Sequence, residues 1–578
     1  MTFRTPAAIA ALTALTLGAC GQSDNGGAST TTTPSTEQST PAATPDPAAE
    51  ASAVLTPILA PINEENLRAR IATLSSDEFA GRAPATEGGM KTREWLANEM
   101  KSIGLKPGNG DSYEQKVPLV ELTVDPTQSN LTIDGEVVEY GSEAVYWTKR
   151  VMEDVSYTDS DLVFVGYGVV APEYDWNDYA DIDVEGKTVV ILVNDPGYAS
   201  DDPEFFKGRS MAYYGRWTYK YEEAARQGAA AALIVHQTAP AAYGWNVVEG
   251  SWTGAQLDLE RPDGGEGRVA VEGWLQEDVA RGLFEKADLD FDDLTESAKE
   301  RGFKAVAMGD LKSSGTLKNT VRRSESANVA GVIPGTENPD EYVLYMAHWD
   351  HLGHNASVTE GDAISNGAVD NATGTAGILT IAESFMNTEE KPKRSLMFVA
   401  VTAEESGLLG SAYLAEDPIV PLANIVGGIN IDGVLPLPPA NDIIVVGYGA
   451  SELEDLLKKA ADKRDIYLRP DAEPEKGYFY RSDHISLAKK GVPMLYADSG
   501  IDLVDGGEEA GRAMADDYTV NRYHQPSDEY SPDWNLTGMT QSMTIFSEIG
   551  ADMAYTDAWP NWYEGNEFRS LRDAQRGQ

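Results

Sequence analysis

Short apolar runs alternate with longer amphipathic segments in the second half of the chain. The apolar runs predict strands, and apolar residues at three- and four-residue spacing predict helices. The predicted strands cover residues 342–347, 396–401, 425–431, 443–446 and 493–496. The predicted helices cover residues 373–386, 406–414, 452–463 and 536–555. Because strands that alternate with helices favour parallel pairing, this part of the chain predicts an α/β fold: a mostly parallel sheet sandwiched by helices.

Two helices are predicted earlier in the chain, over residues 66–74 and 89–103, on either side of a loop rich in glycine and proline. Gly104 and the proline at 107 end the second helix, as is typical of helix C-termini. Residues 113–324 then carry short β-rich runs at 162–167, 188–193 and 231–236, with a helix over 222–228. We predict that 113–324 is a separate β-rich or α/β module inserted before the later strands.

The first 19 residues contain Arg4, an apolar middle and the sequence Leu-Gly-Ala before Cys20. This pattern predicts a secretory signal that ends at a lipoprotein box, with lipid attached to Cys20; an ordinary signal peptide with an incidental cysteine is the alternative. Residues 20–53 are rich in Ser, Thr, Pro and Ala, which predicts a flexible linker. The expected organisation is therefore a signal peptide (1–19), a linker (20–53), N-terminal helices (54–112), the inserted module (113–324) and a final domain (325–578).

Charge and cysteine content exclude several kinds of function. The chain has 45 Lys and Arg against 93 Asp and Glu, a formal net charge of −48. Nucleic acids and anionic membrane surfaces bind basic patches, so neither is an expected partner. Cys20 is the single cysteine. If Cys20 is lipidated, no thiol is left to serve as a nucleophile, a metal ligand or half of a disulfide.

Polar residues with metal-binding chemistry follow the predicted strands. Three of the six histidines fall within residues 348–354. An acidic residue that follows a buried strand is, taken alone, often only a helix cap. Several such residues occur here in order, each just beyond an apolar strand, and this favours a shared site. Histidines and carboxylates at one sheet edge suit two zinc ions bridged by one carboxylate, a centre used for hydrolysis. The candidate residues are His348, Asp350, Asp370, Glu404, Glu405, Asp432 and His524.

This ordered set resembles the co-catalytic zinc exopeptidases, which include secreted bacterial leucine aminopeptidases, glutamate carboxypeptidase and the metal-free transferrin receptor ectodomain. The resemblance covers roughly residues 326–555. It implies that His348, Asp370 and Asp432 hold one zinc ion. Asp370, Glu405 and His524 would hold the other, with Asp370 as the bridge.

The resemblance also implies two further roles. Glu404 corresponds to the general base, which takes a proton from the attacking water and passes it to the leaving amine. Asp350 corresponds to the carboxylate that orients His348, as ligating imidazoles commonly require. A cis peptide bond is expected between Asp370 and Asn371; relatives often have a second Asp where this chain has Asn371.

The middle module resembles a protease-associated domain over residues 162–236, and no catalytic residue is expected from it. Several neighbours of the motifs stay open. His351 and His354 are either extra ligands or residues that pack around the ligands. Tyr480 or His484 is a candidate hydrogen-bond donor to the developing oxyanion, with plain packing as the alternative.

The combined hypothesis is an exported, lipid-anchored dizinc exopeptidase that acts on peptides. An aminopeptidase is favoured, because a carboxylate-rich site suits a substrate ammonium group, whereas a carboxypeptidase needs clustered arginines. Near the motifs the sequence offers mainly Arg481 and Arg522. The alternatives are a dizinc carboxypeptidase or dipeptidase, a glutaminyl cyclase on the same fold, and an inactive peptide-binding protein. Side-chain preference, oligomeric state and the membrane face of the anchor are left open.

Overall fold

A computed structural model describes residues 56–198, 200–355, 358 and 360–577. The predicted signal peptide, the lipid attachment at Cys20 and the linker over 20–53 lie outside these residues and stay predictions. Within the described ranges, no helix is both long and apolar enough to cross a bilayer.

Fourteen α-helices are assigned in the described ranges. They are α1 Glu64–Leu74, α2 Glu87–Ile103, α3 Trp217–Arg226, α4 Thr238–Ala241, α5 Trp245–Trp252, α6 Glu277–Lys286, α7 Phe291–Ser297, α8 Gly374–Asn387, α9 Leu409–Glu416, α10 Leu453–Asp462, α11 His484–Ala488, α12 Gly507–Asn521, α13 Thr537–Tyr555 and α14 Arg569–Arg576.

The strands assigned in the same ranges number twenty-one. They are β1 Lys106–Pro107, β2 Glu114–Val124, β3 Asn130–Ile133, β4 Glu136–Val138, β5 Ala144–Trp147, β6 Asp154–Phe164, β7 Val170–Ala171, β8 Trp176–Asn177, β9 Thr188–Leu192, β10 Ala231–His236, β11 Ala255–Leu259, β12 Val271–Gln276, β13 Val306–Ile333, β14 Asn338–His348, β15 Gly353–His354, β16 Ile364–Ser365, β17 Arg394–Val401, β18 Ile425–Asn430, β19 Asp442–Val445, β20 Tyr467–Pro470 and β21 Met494–Ser499.

The central sheet runs in the spatial order β20, β19, β21, β18, β14, β17, β13, β2 and β11. Its inner strands β17, β14, β18 and β21 are parallel to one another. The flanking strands β13 and β19 pair antiparallel with β17 and β21. This arrangement confirms the predicted α/β fold with a mostly parallel inner sheet, and it brings the carboxyl ends of β14, β17 and β18 to one edge.

The second half of β14 is continuously apolar because both of its faces are buried. Val343, Tyr345 and Ala347 point into one hydrophobic core, whereas Leu344 and Met346 point into a second core on the opposite face. Successive side chains of a strand point to opposite faces, so a strand covered on both sides needs apolar residues throughout. Helices α8 and α13 contact this strand, and their buried side chains belong to the first core.

The inserted module is built on a second sheet with its own hydrophobic core. Its strands β6, β9, β10 and β12 are parallel, with β5 antiparallel at one end. Strand β13 is 28 residues long and belongs to both sheets: its first half pairs with β3 and β6, and its second half with β2 and β17. The predicted domain boundary at residue 324 therefore falls within one continuous strand.

The predicted helices and strands are confirmed, with boundaries that shift by a few residues. The largest shifts are in the inserted module, where the strand predicted over 162–167 is β6, Asp154–Phe164, and the helix predicted over 222–228 is α3, Trp217–Arg226. Gly104 ends α2 in the left-handed conformation with φ of 98°, as the sequence predicts. The predicted cis bond between Asp370 and Asn371 is also present.

Candidate metal centre

His348 is the last residue of β14 and lies almost completely buried at the sheet edge. Its Nδ1 atom is 3.2 Å from the main-chain oxygen of Asp350, which fixes the orientation of the ring. The Asp350 carboxylate lies farther from this Nδ1, at 3.8 Å. It accepts instead the main-chain N–H of Glu404 at 3.1 Å. Asp350 thus connects the first histidine to the loop that carries the candidate base.

Asp370 lies between the two predicted histidine ligands. Its Oδ1 atom is 3.2 Å from Nε2 of His348, and its Oδ2 atom is 3.2 Å from Nε2 of His524. The loop around it is held by Asn371, whose side chain donates to the main-chain oxygen of Ile431 at 3.0 Å and accepts the N–H of Gly433 at 3.2 Å. Asn371 therefore joins the Asp370 loop to the end of β18.

Asp432 follows β18 and completes the first predicted ligand set. Its Oδ1 atom is 3.0 Å from Nε2 of His348. Its Oδ2 atom accepts the hydroxyl of Ser482 at 2.5 Å, and that hydroxyl in turn accepts the side-chain N–H of Asn430 at 2.7 Å. This chain of hydrogen bonds leaves Oδ1 as the oxygen that faces His348.

Glu404 and Glu405 follow β17 and have different surroundings. The Oε2 atom of Glu405 is 3.1 Å from Nε2 of His524, and its Oε1 atom is 2.6 Å from Nδ1 of His351. Glu404 makes no side-chain hydrogen bond or ion pair within the described residues, and burial raises its pKa well above the ordinary value. A carboxyl group that favours its protonated form is suited to exchange a proton with substrate or water.

His524 reaches the site from the loop after α12, and its side chain is 37% exposed. Its ring stacks on that of Tyr523, with centroids 4.0 Å apart. Burial opposes the charged imidazolium, but the hydrogen bonds to Asp370 and Glu405 outweigh it and raise the pKa of His524 to about 10. The carboxylates around this imidazole therefore attract positive charge strongly.

The donor set fits a pair of zinc ions. Two groups of side chains bring their ligand atoms within 4.8 Å of one another: His348 with Asp370 and Asp432, and His351 with Asp370 and Glu405. His524 contacts both carboxylates of the second group, Asp370 and Glu405. Imidazole and carboxylate are typical zinc ligands, and so many converging carboxylates need cations to balance their charge.

Ligand spacing supports the same interpretation. The contacts from His348 and His524 to the three carboxylates Asp370, Asp432 and Glu405 are 3.0 to 3.2 Å long. Neighbouring ligands around a tetrahedral ion with bonds of about 2.0 Å are separated by roughly 3.3 Å. The side chains are thus arranged as two tripods that share Asp370.

The two candidate oxyanion donors point elsewhere or are enclosed. The Tyr480 hydroxyl donates to the carboxylate of Glu567 at 2.9 Å, and Glu567 is not one of the candidate metal ligands. His484 is buried between the rings of Phe479 and Tyr496, at centroid distances of 4.6 and 5.0 Å. Burial lowers the pKa of His484 to about 3, so its ring is neutral.

Arg82 is a functional neighbour that the sequence did not reveal, because it lies in a loop with no periodic pattern. It is 1% exposed and donates to the main-chain oxygens of Trp349, Asn366 and Gly367 at 2.8, 2.5 and 2.8 Å. A fourth hydrogen bond, of 2.7 Å, goes to the oxygen of Leu74. Arg82 therefore fastens the first helices to the loops that carry His348 and Asp370.

A cavity of about 230 Å³ lies between the inserted module and the loop that follows Glu405. Arg216 from the module and Ser406 and Tyr480 from the final domain are among its lining residues. Neither Arg216 nor the adjacent Arg481 makes a side-chain hydrogen bond or ion pair within the described ranges, and the Nε atom of each is buried without a partner. Burial and the charge of Arg481 lower the pKa of Arg216 to about 10.

Residues 328–546 match peptidase family M28. Over 106 residues the chain is 39% identical to a "Probable zinc metalloprotease" of Pyrenophora teres f. teres (strain 0-1), covering 18% of this chain and 22% of that protein. Over 122 residues it is 34% identical to "Aminopeptidase NAALADL1" of Mus musculus, covering 20% of this chain and 15% of that protein. The chain thus spans less than a quarter of the length of these curated relatives.

Among solved structures, the chain is similar to an aminopeptidase from Aneurinibacillus sp. strain AM-1. The alignment covers 85% of this chain and 94% of the aminopeptidase chain, with 20% sequence identity and a TM-score of 0.46. The family match and the curated relatives therefore show that the segment 328–546 is similar to M28 peptidases, and that a zinc metalloprotease and an aminopeptidase are among the proteins it resembles. This segment contains all seven predicted site residues, whereas Arg82 reaches the site from outside it.

Proposed function

We propose that the chain is an exported zinc-dependent exopeptidase, most directly an aminopeptidase that releases N-terminal residues from peptides. The observation that carries this proposal is the position of Asp370, with one oxygen 3.2 Å from His348 and the other 3.2 Å from His524. A single carboxylate shared by two donor sets is the arrangement expected of a two-metal hydrolase. His348, Asp370 and Asp432 would hold one ion, and Asp370, Glu405 and His524 the other.

Bound zinc would polarise the scissile carbonyl and promote ionisation of water. Glu404 is then the group that takes a proton from the attacking water and delivers it to the leaving amine. Two features support this role: its carboxyl group has no side-chain partner among the described residues, and its main-chain N–H is held by Asp350 at 3.1 Å. The carboxylates that surround it favour a substrate with a free ammonium group, which is the basis for aminopeptidase action.

A test of the proposal combines metal content with substrate choice. Zinc per chain is measured in the wild type and in Glu404→Ala, and both proteins are assayed with aminoacyl, N-blocked and C-terminal peptide substrates. We expect two zinc ions in both proteins and cleavage of free-amine substrates by the wild type alone. A wild-type protein that holds no zinc or cleaves no peptide would contradict the proposal and favour an inactive binding protein.

Carboxypeptidase or dipeptidase action is a second candidate function. It is favoured by a pair of neighbouring arginines, Arg216 and Arg481. Arg216 lines the cavity that Ser406 and Tyr480 also line, and it lies close enough to Arg481 for the two charges to interact. The Nε atom of each arginine is buried without a partner among the described residues. Arg481 directly precedes Ser482, which contacts Asp432. A guanidinium pair of this kind binds a carboxylate through charge-assisted hydrogen bonds.

Peptides with a free or an amidated C-terminus distinguish the two candidates. If the pair binds the terminal carboxylate, amidation raises KM, and this effect disappears in Arg216→Gln and Arg481→Gln. The matched control is Arg512→Gln, because Arg512 is exposed on α12 and pairs with Glu508. If the wild type and all three variants cleave the free-acid and amidated peptides equally well, the arginines do not bind the terminal carboxylate. Only the aminopeptidase interpretation would then remain.

The cellular location belongs to the same proposal. The pattern that ends at Cys20 supports export and attachment to a membrane through lipid. Growth with labelled palmitate, followed by detection of label in the wild type but not in Cys20→Ala, tests this attachment. Equal labelling of the two proteins would contradict it.

A further inference from the structure

His351 lies behind Glu405 and contacts the carboxylate oxygen that faces away from His524. Its Nδ1 atom is 2.6 Å from Glu405 Oε1, and the His351 side chain is 0% exposed. The other oxygen, Oε2, is 3.1 Å from Nε2 of His524. The two oxygens of Glu405 therefore meet two different imidazole rings.

The lengths of these contacts separate a ligand from a hydrogen-bond partner. The contacts that link the histidine and carboxylate ligands are at least 3.0 Å long. Two atoms that bind the same ion keep roughly this separation. The 2.6 Å contact of His351 is shorter and has the length of a charge-assisted hydrogen bond. His351 is near enough to be grouped with Asp370 and Glu405 as a potential ligand, but its distance to Glu405 favours a hydrogen bond.

We propose that His351 is a positioning residue for the second ion. A carboxylate can only accept, so Nδ1 of His351 carries the proton and donates it to Glu405 Oε1. The Nε2 atom is buried and has no partner among the described residues. His351 thereby holds Glu405 with Oε2 directed toward the site, before any ion binds. The inference rests on the two-ion centre proposed above.

The His351 ring is fixed by its surroundings. A Cβ atom at Gly367 would lie 2.5 Å from Cγ of His351, so the imidazole occupies space that any other residue at position 367 would fill. Gly367 also has a φ of 53°, a left-handed conformation that disfavours other residues. The ring cannot move toward this loop, and the Glu405 carboxylate is held against a rigid partner.

The expected consequence is confined to one of the two ions. The ligand set proposed for the first ion is His348, Asp370 and Asp432. Because Glu405 is not part of this set, we expect binding of the first ion to be independent of His351. Loss of a hydrogen bond to a metal ligand typically weakens metal binding about 10- to 100-fold. We therefore expect His351→Leu to weaken one of two zinc dissociation constants by this factor and to leave the other unchanged.

The experiment titrates zinc into metal-free full-length protein in competition with a chromophoric chelator. His351→Leu removes the donor, His351→Asn keeps an N–H near the position of Nδ1, and Leu352→Ala is the control, since Leu352 is exposed, adjoins His351 and cannot bind a metal ion. Circular dichroism and thermal unfolding show whether each variant is folded. We expect weakened binding at one site in His351→Leu, recovery in His351→Asn and wild-type values in the control.

The visible spectrum of the cobalt-substituted protein separates a positioning role from direct ligation. A positioning residue leaves the number of nitrogen ligands unchanged, so fully loaded His351→Leu keeps the wild-type band positions. A changed spectrum at full occupancy would overturn the proposal in favour of ligation. Unchanged zinc affinities in a folded His351→Leu, or equal weakening at both sites, would also overturn it. A wild type that binds no zinc would instead refute the proposed function itself.

Discussion

Asp528 accepts the main-chain N–H of Asp370 at 3.1 Å. The same carboxylate accepts the N–H of Val369 at 3.0 Å, and the main-chain oxygen of Asp528 accepts the N–H of Ala368. Asp528 is completely buried and lies four residues after His524. One short segment therefore supplies a candidate ligand, His524, and also anchors the loop of Asp370, the proposed bridging carboxylate.

Replacing Asp528 by Ala should loosen the Asp370 loop. Two main-chain donors would lose their acceptor in a buried position, at a cost of about 1–3 kcal/mol for each unsatisfied group. We expect a lower free energy of unfolding and weaker retention of both ions, measured by denaturant unfolding and by zinc content after dialysis. Asp528→Asn keeps one acceptor oxygen and should show a smaller loss. Full stability and zinc content in Asp528→Ala would contradict the anchoring role.

Arg82 offers a second test of how the loops are held. Its four hydrogen bonds to main-chain oxygens join Leu74 to the loops near His348 and Asp370. In Arg82→Met these oxygens lose their donors, and we expect destabilisation by more than about 3 kcal/mol. The exposed Arg512→Met should be close to neutral. Equal unfolding free energies for the two variants, measured in urea, would refute this account.

Much of the inner sheet could be predicted from the sequence because its strands are buried on both faces. Continuous apolar runs such as that of β14 predict parallel strands, and polar residues directly after them predict the contents of the sheet edge. Strand β13 is harder to recognise. Its first half alternates buried and exposed residues and contains Lys312 and Lys318, which pair with Asp161 and Asp154 on β6.

The candidate ligands could be predicted for the same reason, whereas their supports could not. Arg82 contacts an oxygen 267 positions away, at Trp349, and Asp528 contacts a nitrogen 158 positions away, at Asp370. No periodic pattern connects such partners. The pairing of His351 with Glu405, rather than with a metal ion, likewise depends on a distance that local spacing does not encode.

The shared position of Asp370 predicts different effects for two similar substitutions. Asp370 faces both histidines, so Asp370→Asn should weaken binding of both ions. Asp432 faces only His348, so Asp432→Asn should weaken binding of one. Zinc per chain after dialysis against a weak chelator should fall toward zero in the first variant and toward one ion in the second. The exposed Asp516→Asn is the control, and equal losses in both ligand variants would argue against a shared carboxylate.

Metal removal should reduce thermal stability, because an ion that binds only the folded state stabilises it by mass action. At a free zinc concentration about 100-fold above the dissociation constant, each site contributes about 2.7 kcal/mol. The carboxylates also repel one another when no cation is bound. The charge of Asp432 helps to raise the pKa of His348 well above its ordinary value against the effect of burial. We therefore expect a strong chelator to lower the Tm of the wild type and added zinc to restore it.

Asp370→Asn provides the matched comparison: if the two donor sets share Asp370, the Tm of this variant responds little to chelator or zinc. A large zinc-dependent shift in that variant would show that the stabilising ions bind elsewhere.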